Sequence, residues 1–321
     1  MKLYGTANLQ FIFAFLLMLF SASIIVSTSI RMGCGNSCLV TVYFFDVGQG
    51  DAIFVDTNGL DMLIDGGPRK AGAALMGYLE ALNVSRISFV VATHPHEDHI
   101  GGLVAVLNSS INVDAVLYSG ESATTQVYSN FISLAQGKVT LAERGQEYVL
   151  SDDVNFTVLN PVQPLEFSDS NSNSIVLRLQ AGNVAFLFAG DATFDAEESM
   201  LNAGLNVASQ VLKVAHHGSR YATSATFLND VNPEYAVISA GVDNTYGHPH
   251  VETVQRLLEK GVTVYGTYLS GTIIMSTDGQ TVQVHGNPKP VSEFPQGVVL
   301  CLILVLVTFF VFWIKNLRRS G

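Results

Sequence analysis

Three of the chain's eight histidines fall within six residues near the end of the first third of the sequence. They are interleaved with carboxylates in the order His94, His96, Glu97, Asp98 and His99. An apolar run at 87–92, which predicts a buried strand, precedes them, and Gly101 and Gly102 lead into a helix-like segment. Imidazole nitrogens and carboxylate oxygens are ligands for zinc, iron and manganese. The segment therefore predicts a metal-binding loop between a strand and a helix.

The proline in this segment predicts how its side chains are presented. Pro95 disfavours the helical region for the residue before it, so the loop should begin extended. Residues two apart in an extended chain point the same way, which lets His94 and His96 face one site while Asp98 and His99 turn in from the next bend. The alternative is a polar surface loop rich in histidine. A solvated loop, however, has no reason to lie between a buried strand and a Gly-Gly helix start.

Three later places could complete a metal site. Asp191 follows a buried strand and could bridge two metal ions or cap the next helix. His216 and His217 end another predicted strand, where adjacent residues face opposite ways, so only one of them is expected to reach a given metal. His248 lies in a loop before a helix and could act on the substrate or serve the structure alone.

Short apolar strands separated by turns must position these residues. Strands dominate the pattern, and helices are predicted at 72–82, 127–135, 194–203 and 251–258. The helices fall into two groups that could cover two sheets. We therefore predict one domain at 39–286.

Both ends of the chain carry long apolar segments. Residues 9–30 have about the length that spans a bilayer, so 1–31 is predicted to be a transmembrane or signal-anchor segment, with cleavage of a signal peptide as the alternative. A linker at 287–296 leads to a second predicted transmembrane helix at 297–314, and the basic tail 315–321 should stay in the cytoplasm. The domain would then lie on the extracytoplasmic face of the cell membrane. Two buried core helices of a soluble protein are the alternative.

Composition narrows the function further. The net charge of −11 over 321 residues argues against a protein that binds duplex nucleic acid tightly through basic residues on its surface. Three cysteines are too few for a zinc cluster, so histidine and aspartate carry the metal prediction. Cys34 and Cys38 could form a small disulfide in an oxidising compartment.

Six motifs in order resemble the metallo-β-lactamase superfamily, and in particular its ComEC-like branch. The segments that carry the resemblance are 46–52 (Asp-Val-Gly-Gln-Gly-Asp-Ala), 64–67 (Ile-Asp-Gly-Gly), 94–99, 190–191 (Gly-Asp), 216–219 (His-His-Gly-Ser) and 247–249 (Gly-His-Pro). The resemblance covers nearly all of residues 40–285. It implies a mixed α/β (α+β) fold, a four-layer αββα sandwich with the metals at one edge of the sheets.

The resemblance also implies roles for individual residues. The implied metal ligands are His94, His96, Asp98, His99, Asp191, and His216 or His217. Asp98 would also orient or deprotonate the water nucleophile, and His248 would be a general acid or contact a substrate phosphate. Asp46 and Asp65 would support the site by hydrogen bonds. One or two divalent ions, zinc or manganese, are the expected cofactors, and no nucleotide cofactor is implied.

One departure from the family pattern concerns the metal ligands. Many members have a further metal-binding histidine, but this chain has none between His99 and His216. The polar segment 171–174 stands in that place. We expect either a weaker second metal site completed by water or an amide oxygen, or a single firmly bound metal.

Together these observations predict a membrane-anchored extracytoplasmic metal-dependent hydrolase. Phosphodiesters are the favoured substrates, with nucleic acid among them, and hydrolysis would use metal-activated water. Phosphorylcholine esters, lactones and β-lactams are the alternatives, in that order. A membrane-anchored binding module without catalysis is the alternative from another class. The sequence indicates no partner protein.

Overall fold

The computed structural model describes residues 39–292, and within them the strands form two sheets. In spatial order the eight-stranded first sheet consists of β15 (Val282–His285), β14 (Ile273–Thr277), β1 (Val40–Phe44), β2 (Ile53–Thr57), β3 (Met62–Ile64), β4 (Arg86–Ala92), β5 (Asn112–Tyr118) and β6 (Val139–Leu141). The seven-stranded second sheet consists of β13 (Thr263–Gly266), β12 (Tyr235–Ile238), β11 (Val211–Lys213), β10 (Val184–Phe188), β9 (Val176–Ala181), β8 (Val154–Asn160) and β7 (Glu147–Ser151).

The helices connect the strands and are short. They are α1 (Gly72–Ala81), α2 (Glu97–Ile100), α3 (Leu103–Leu107), α4 (Gln126–Ala135), α5 (Phe194–Asn202), α6 (Ala225–Val231), α7 (Val251–Glu259) and α8 (Thr267–Ser270), with 3-10 turns at Arg69–Ala71 and Ala215–Gly218. Local capping fixes two of them. The side chains of Thr125 and Ser224 accept backbone N–H groups at the starts of α4 and α6, and Asn232 ends α6 in the left-handed region.

Three apolar clusters define four layers. The first cluster lies between the two sheets and joins Phe44 of the first sheet to Phe156 and Phe186 of the second. The second packs α5, α6 and α7 on the outer face of the second sheet, and the third packs α1, α3 and α4 on the outer face of the first. Each sheet thus buries both of its faces. The order helix, sheet, sheet, helix is the sandwich predicted from the sequence.

Parallel strands bring the loops that carry the predicted site residues to one edge of the two sheets. β3, β4 and β5 run parallel in the first sheet, and β10, β11 and β12 run parallel in the second. The carboxyl ends of parallel strands lie at the same edge, where open α/β sheets form their binding crevices. The loops after β3, β4, β10, β11 and β12 carry the residues of the candidate site.

The bounds of most helices and strands predicted from the sequence agree with the structure to within a few residues. The predictions differ from the structure in three ways. The second sheet's edge strand β7 and the first sheet's edge strand β6 were not predicted, nor was α6. The predicted strand at 211–215 ends at Lys213. The predicted metal-binding loop contains a helical turn, α2, which holds Asp98 and His99.

The predicted apolar ends lie outside the described residues. The segments 1–31 and 297–314, the basic tail and the pair Cys34–Cys38 all fall there. Inside residues 39–292, no helix has the length and apolar character needed to cross a bilayer.

Candidate metal centre

The candidate site is built where both sheets present the carboxyl ends of their parallel strands. The residues that meet there, each just after its strand, are Asp65 after β3, Thr93 and His94 after β4, Asp191 after β10, His216 and His217 after β11, and Ser239 after β12. A backbone hydrogen bond from Ile175 to Thr93 and another from His216 to Gly190 tie the loops together. Gly190 has a φ of +51°, and a Cβ there would lie 3.1 Å from that of Ser174, so the close approach favours glycine.

The motif at 94–99 brings its side chains close together. His96 is extended, with φ −70° and ψ 148°, and its Nδ1 lies 2.9 Å from Nε2 of His94. His94 is buried and His96 is exposed. Asp98 and His99 turn in from helix α2, which begins immediately after His96. The four predicted ligands of this motif are therefore held close together.

Asp65 supports the site as the sequence predicted. Its Oδ2 lies 2.7 Å from Nδ1 of His99 and accepts a hydrogen bond from the Thr93 hydroxyl at 2.7 Å. Its Oδ1 accepts the Thr93 backbone N–H at 2.9 Å. With Nδ1 occupied in this way, His99 directs Nε2 toward Asp191 Oδ1, 3.4 Å away. A carboxylate behind the imidazole fixes the ring orientation that metal-binding histidines need.

Asp46 does not have the role expected of it. Its carboxylate accepts the backbone N–H of Gly48 at 3.1 Å, so it stabilises the turn in which it lies. Its own backbone N–H donates to the Thr272 hydroxyl. The hydrogen bonds of Asp46 thus reach no predicted ligand, because the turn directs its side chain back onto its own loop.

The premise that separated His216 from His217 was wrong. The two residues are not part of a strand, because β11 ends at Lys213 and both have left-handed backbones, with φ 49° and φ 53°. Both rings consequently reach Asp191, whose Oδ2 lies 3.7 Å from Nε2 of His216 and 3.6 Å from Nε2 of His217. They differ in burial: the His217 side chain is 1% exposed and that of His216 is 23% exposed.

Four of these residues form what we name the buried group: Asp98, His99, Asp191 and His217. Nε2 of His217 lies 3.4 Å from Asp98 Oδ2. Nδ1 of His217 lies 2.9 Å from the Ser239 carbonyl oxygen, which leaves Nε2 free as a ligand. Nε2 of His99, Nε2 of His217 and Oδ1 of Asp191 are buried and make no hydrogen bond within residues 39–292. Two imidazoles and two carboxylates suit a divalent cation, which would satisfy these buried atoms.

Charge couples the members of the buried group. Burial alone would lower the pKa of His99, yet Asp191 and Asp65 raise it well above its ordinary value. Burial likewise opposes the charge on His217, but Asp191 and Asp51 raise the pKa of that ring to about 10. Burial would raise the pKa of Asp191, whereas His217 and His99 hold it well below its usual range. A divalent cation bound by this group would therefore displace protons from the two rings.

A second set, which we name the open group, consists of His94, His96 and the shared Asp191. Nε2 of His94 lies 3.9 Å from Asp191 Oδ2. Nδ1 of His94 lies 3.3 Å from the Ser174 hydroxyl, in the polar segment that stands in place of the missing histidine. Oδ1 of Asn171, in the same segment, is buried without a hydrogen-bond partner among the described residues. Asn171 thus has an unpaired amide oxygen in the lining of the cavity.

Both groups open into one cavity of about 700 Å³. Its lining includes His96, Asp98, Lys70, Tyr246 and His248. Burial, together with neighbouring His217 and His216, lowers the pKa of His248 to about 4. The His248 ring is therefore neutral at neutral pH. Tyr246 is 63% exposed and stacks on His248 with ring centroids 5.7 Å apart.

Sequence reasoning missed two charged residues beside the buried group. Lys213 is buried in β11, and its Nζ lies 2.6 Å from Oδ2 of Asp51. Oδ1 of Asp51 lies 3.3 Å from Nδ1 of His217. Asp51 belongs to segment 46–52, the earliest of the six that carry the family resemblance, and Lys213 interrupts the apolar run 211–215. Both signals were present in the sequence, but only the fold shows that the two residues pair.

The fold and the arrangement of donors define a class, and the chain belongs to the metallo-beta-lactamase superfamily. The profile of that family matches residues 45–242. Membership makes a metal-dependent hydrolase the general class of activity, and the His/Asp cluster suits divalent metal binding.

Curated relatives place the chain more closely. It is 35% identical over 242 residues to competence protein ComA of Neisseria gonorrhoeae, covering 74% of this chain and 32% of that protein. It is 30% identical over 251 residues to ComE operon protein 3 of Bacillus subtilis (strain 168), covering 72% and 32%. Recombination protein 2 of Haemophilus influenzae is 28% identical over 233 residues, covering 71% and 28%. The ComEC-like resemblance is confirmed, and the chain spans about a third of the length of these relatives.

A solved structure shares the fold. A CmlA beta-hydroxylase mutant superposes with a TM-score of 0.51 at 13% identity, covering 74% of this chain and 54% of that one. At this identity the likeness concerns the fold alone.

Proposed function

We propose that this chain is a metal-dependent hydrolase of phosphodiesters, with nucleic acid as the favoured substrate class. The observation that carries the proposal is the buried group. Donor atoms of Asp98, His99 and His217 lie within 4.8 Å of one another, and the Asp191 carboxylate lies 3.4 Å from His99 Nε2 and 3.6 Å from His217 Nε2, beside a cavity large enough for a nucleotide unit. The choice of phosphodiester over lactam or lactone is supported by the relatives, which are described as competence and recombination proteins. Zinc or manganese, one ion or two, is the proposed cofactor.

The metal ligands follow from the two groups. The buried group would hold one ion through His99, His217, Asp98 and Asp191, and the open group would hold a second through His94, His96 and Asp191. When bound, a divalent metal supplies Lewis acidity toward a phosphoryl oxygen and activates water for attack. His216 remains an additional proposed ligand, because its Nε2 also lies close to Asp191.

Two residues of the cavity have proposed roles in the reaction. Burial would raise the pKa of Asp98, yet His217 and His99 hold it well below its usual range, so Asp98 is ionised and accepts a hydrogen bond that orients the attacking water. The neutral ring of His248 donates a hydrogen bond to a phosphoryl oxygen and holds the substrate in place. Of the two roles considered for His248, substrate contact is favoured over proton donation.

Substrate profiling tests the proposal. The purified full chain in detergent is assayed with zinc and with manganese on bis-nitrophenyl phosphate, single-stranded DNA and the β-lactam nitrocefin. We expect metal-dependent turnover of the first two. Nitrocefin turnover without phosphodiester turnover would refute the substrate class, and a metal-free chain without turnover would leave only the binding-module alternative. Addition of a chelator, followed by metal, provides the reversibility control.

We also propose that the domain is anchored on the extracytoplasmic face of the cell membrane. The support is the sequence of the two apolar segments, 9–30 and 297–314, and the basic tail behind the second. Protease added to intact cells should digest the domain, and alkaline carbonate should leave the chain in the membrane fraction. Full protection from protease in intact cells would contradict this orientation.

A further inference from the structure

Lys213 is an unusual residue for its position. It lies in strand β11, its side chain is fully buried, and its ammonium contacts Oδ2 of Asp51 at 2.6 Å and the Val214 carbonyl oxygen at 3.0 Å. Replacing a buried ion pair with apolar side chains is often neutral or stabilising in proteins. Stability of the fold alone therefore does not explain why a charged pair occupies this place.

Asp51 lies close enough to the site to act as a metal ligand. Its carboxylate belongs to a set of donor atoms with Asp191 and His217, and to another with Asp65 and His99, in each of which all atoms lie within 4.8 Å of one another. A free carboxylate here would compete with imidazole for a divalent cation. Something must therefore determine whether Asp51 binds the ion or remains behind the ligands.

The contacts of Asp51 favour the second arrangement. Lys213 holds Oδ2 of Asp51. Oδ1 makes no hydrogen bond within residues 39–292 and lies 3.3 Å from Nδ1 of His217, so it acts on that ring by its charge, while the Nδ1 hydrogen bond goes to the Ser239 carbonyl oxygen 2.9 Å away. The backbone of Asp51 is fixed as well, since its N–H donates to the Asp98 carbonyl and its carbonyl accepts the N–H of Gly67. A carboxylate behind a ligating imidazole increases the basicity of the ligand.

We propose that Lys213 keeps Asp51 out of the metal coordination, so that Asp51 positions His217 and strengthens it as a ligand instead of competing with it. Lys213 and Asp51 are positioning residues, and neither touches the substrate. The inference rests on metal binding by the buried group, which is part of the proposed function, but it does not depend on the identity of the substrate.

Cobalt binding tests the proposal without any assay of turnover. The full chain carrying His96→Ala, which impairs the open group, is titrated with Co²⁺, and both affinity and the visible d–d spectrum are recorded. In Lys213→Met the freed Asp51 should enter the coordination, so the spectrum should weaken and shift as the coordination number rises. In the double variant Asp51→Asn/Lys213→Met the spectrum should resemble that of the parent, with an affinity about 10- to 100-fold lower because His217 has lost its carboxylate.

A matched control separates this effect from the loss of an ion pair in general. Arg86 and Asp114 form an exposed pair of 2.8 Å on β4 and β5, and Arg86→Met/Asp114→Asn should change neither the spectrum nor the affinity. If Lys213→Met does not fold, the double variant Asp51→Asn/Lys213→Met still tests the proposal, because it has no unpaired buried charge. An affinity for cobalt equal to that of the parent would then contradict the role of Asp51. Melting temperatures that fall while cobalt affinity and spectrum stay unchanged would overturn the proposal. A His96→Ala parent that binds no cobalt would overturn the proposed function as well.

Discussion

The buried group and the open group share Asp191 but are supported differently. In the buried group the second nitrogen of each imidazole faces a strong acceptor, the Asp65 carboxylate behind His99 and the Ser239 carbonyl behind His217. In the open group His94 faces only the hydroxyls of Thr93 and Ser174, at 3.1 Å and 3.3 Å.

Exposure adds to this difference. Three of the imidazoles, His94, His99 and His217, are buried, whereas His96 of the open group is exposed to solvent. A hydrogen-bond acceptor on the second nitrogen of an imidazole fixes the orientation of the ring before a metal binds. Exclusion of water lowers the local dielectric constant and so strengthens the attraction between the ligands and the charge of a metal ion. The two groups are therefore unequal as metal sites: we expect the buried group to bind an ion firmly and the open group to exchange one.

The largest expected effect comes from the residue that both groups share. Asp191→Ala should abolish metal binding by both groups and lower turnover by at least about 10³-fold, since it deletes the carboxylate that they share. Metal analysis after gel filtration, together with the assay on bis-nitrophenyl phosphate, measures this. Asp195→Ala, an exposed carboxylate in the first turn of α5, is the matched control and should keep its metal. A fully loaded Asp191→Ala variant would show that the groups do not share it.

His96→Ala should separate the two groups. Because His96 is exposed and contributes only to the open group, the variant should keep the ion of the buried group and fold normally. Turnover should nevertheless fall by about 10²-fold or more, as a preorganised positive charge is lost from the site. Metal stoichiometry and thermal unfolding are the measurements. A near-normal turnover rate in His96→Ala would contradict the assignment of His96 as a metal ligand.

Metal binding should depend on pH through the two rings of the buried group and much less through the His94 ring of the open group. The pKa of His217 is raised to about 10, and that of His99 lies well above its ordinary value, so below those values both rings carry protons that the ion must displace. Burial lowers the pKa of His94 far below neutrality, so that ring loses no proton. Affinity of the buried group should therefore rise with pH, by about tenfold per unit for each proton released.

Calorimetric titrations in two buffers of different ionisation enthalpy count these protons. We expect proton release with the first, firmly bound equivalent of metal and little with the second. Release that is equal for both equivalents would remove the distinction between the groups.

The smallest effect should come from Asn171. Asn171→Ala removes an unpaired amide oxygen that lines the cavity, and it should weaken only the second equivalent of metal, by about tenfold. Asn173 is the matched control, because its amide is used in hydrogen bonds to the backbone of Phe167. Asn173→Ala should lower thermal stability and leave the metal affinities unchanged. An unaltered second affinity in Asn171→Ala would assign that position to water.

Much of this architecture could be predicted because apolar runs and glycine turns are local signals. The first motif identified its own strand and helix, and the order of the motifs identified the sandwich. Edge strand β7 was not predicted, although its exposed positions alternate with partly or fully buried ones, the pattern of a strand with one face in solvent. Helix α6 is only seven residues long, although Ser224 and Asn232 mark its ends.

The pairing of distant residues could not be predicted. Lys213 and Asp51 are 162 residues apart, and their contact depends on the register of both sheets. The left-handed turn at His216 and His217 was missed for a related reason. Two adjacent histidines give no local sign of positive φ, and the conformation is imposed by the bonds that join this turn to Gly190 and to the end of β12.

The placement of the buried group at the meeting of two sheets has a consequence for how the protein acquires its ion. His99 and Asp98 belong to the first sheet, while Asp191 and His217 belong to the second, so the unfolded chain has no preformed four-ligand site. Long-range contacts of this kind form late, after the cost of closing the intervening chain has been met. A metal ion would therefore be bound only after folding. Because histidine and carboxylate sites bind copper more tightly than zinc or manganese, the supply of metal in the compartment where folding finishes would decide which ion fills the centre.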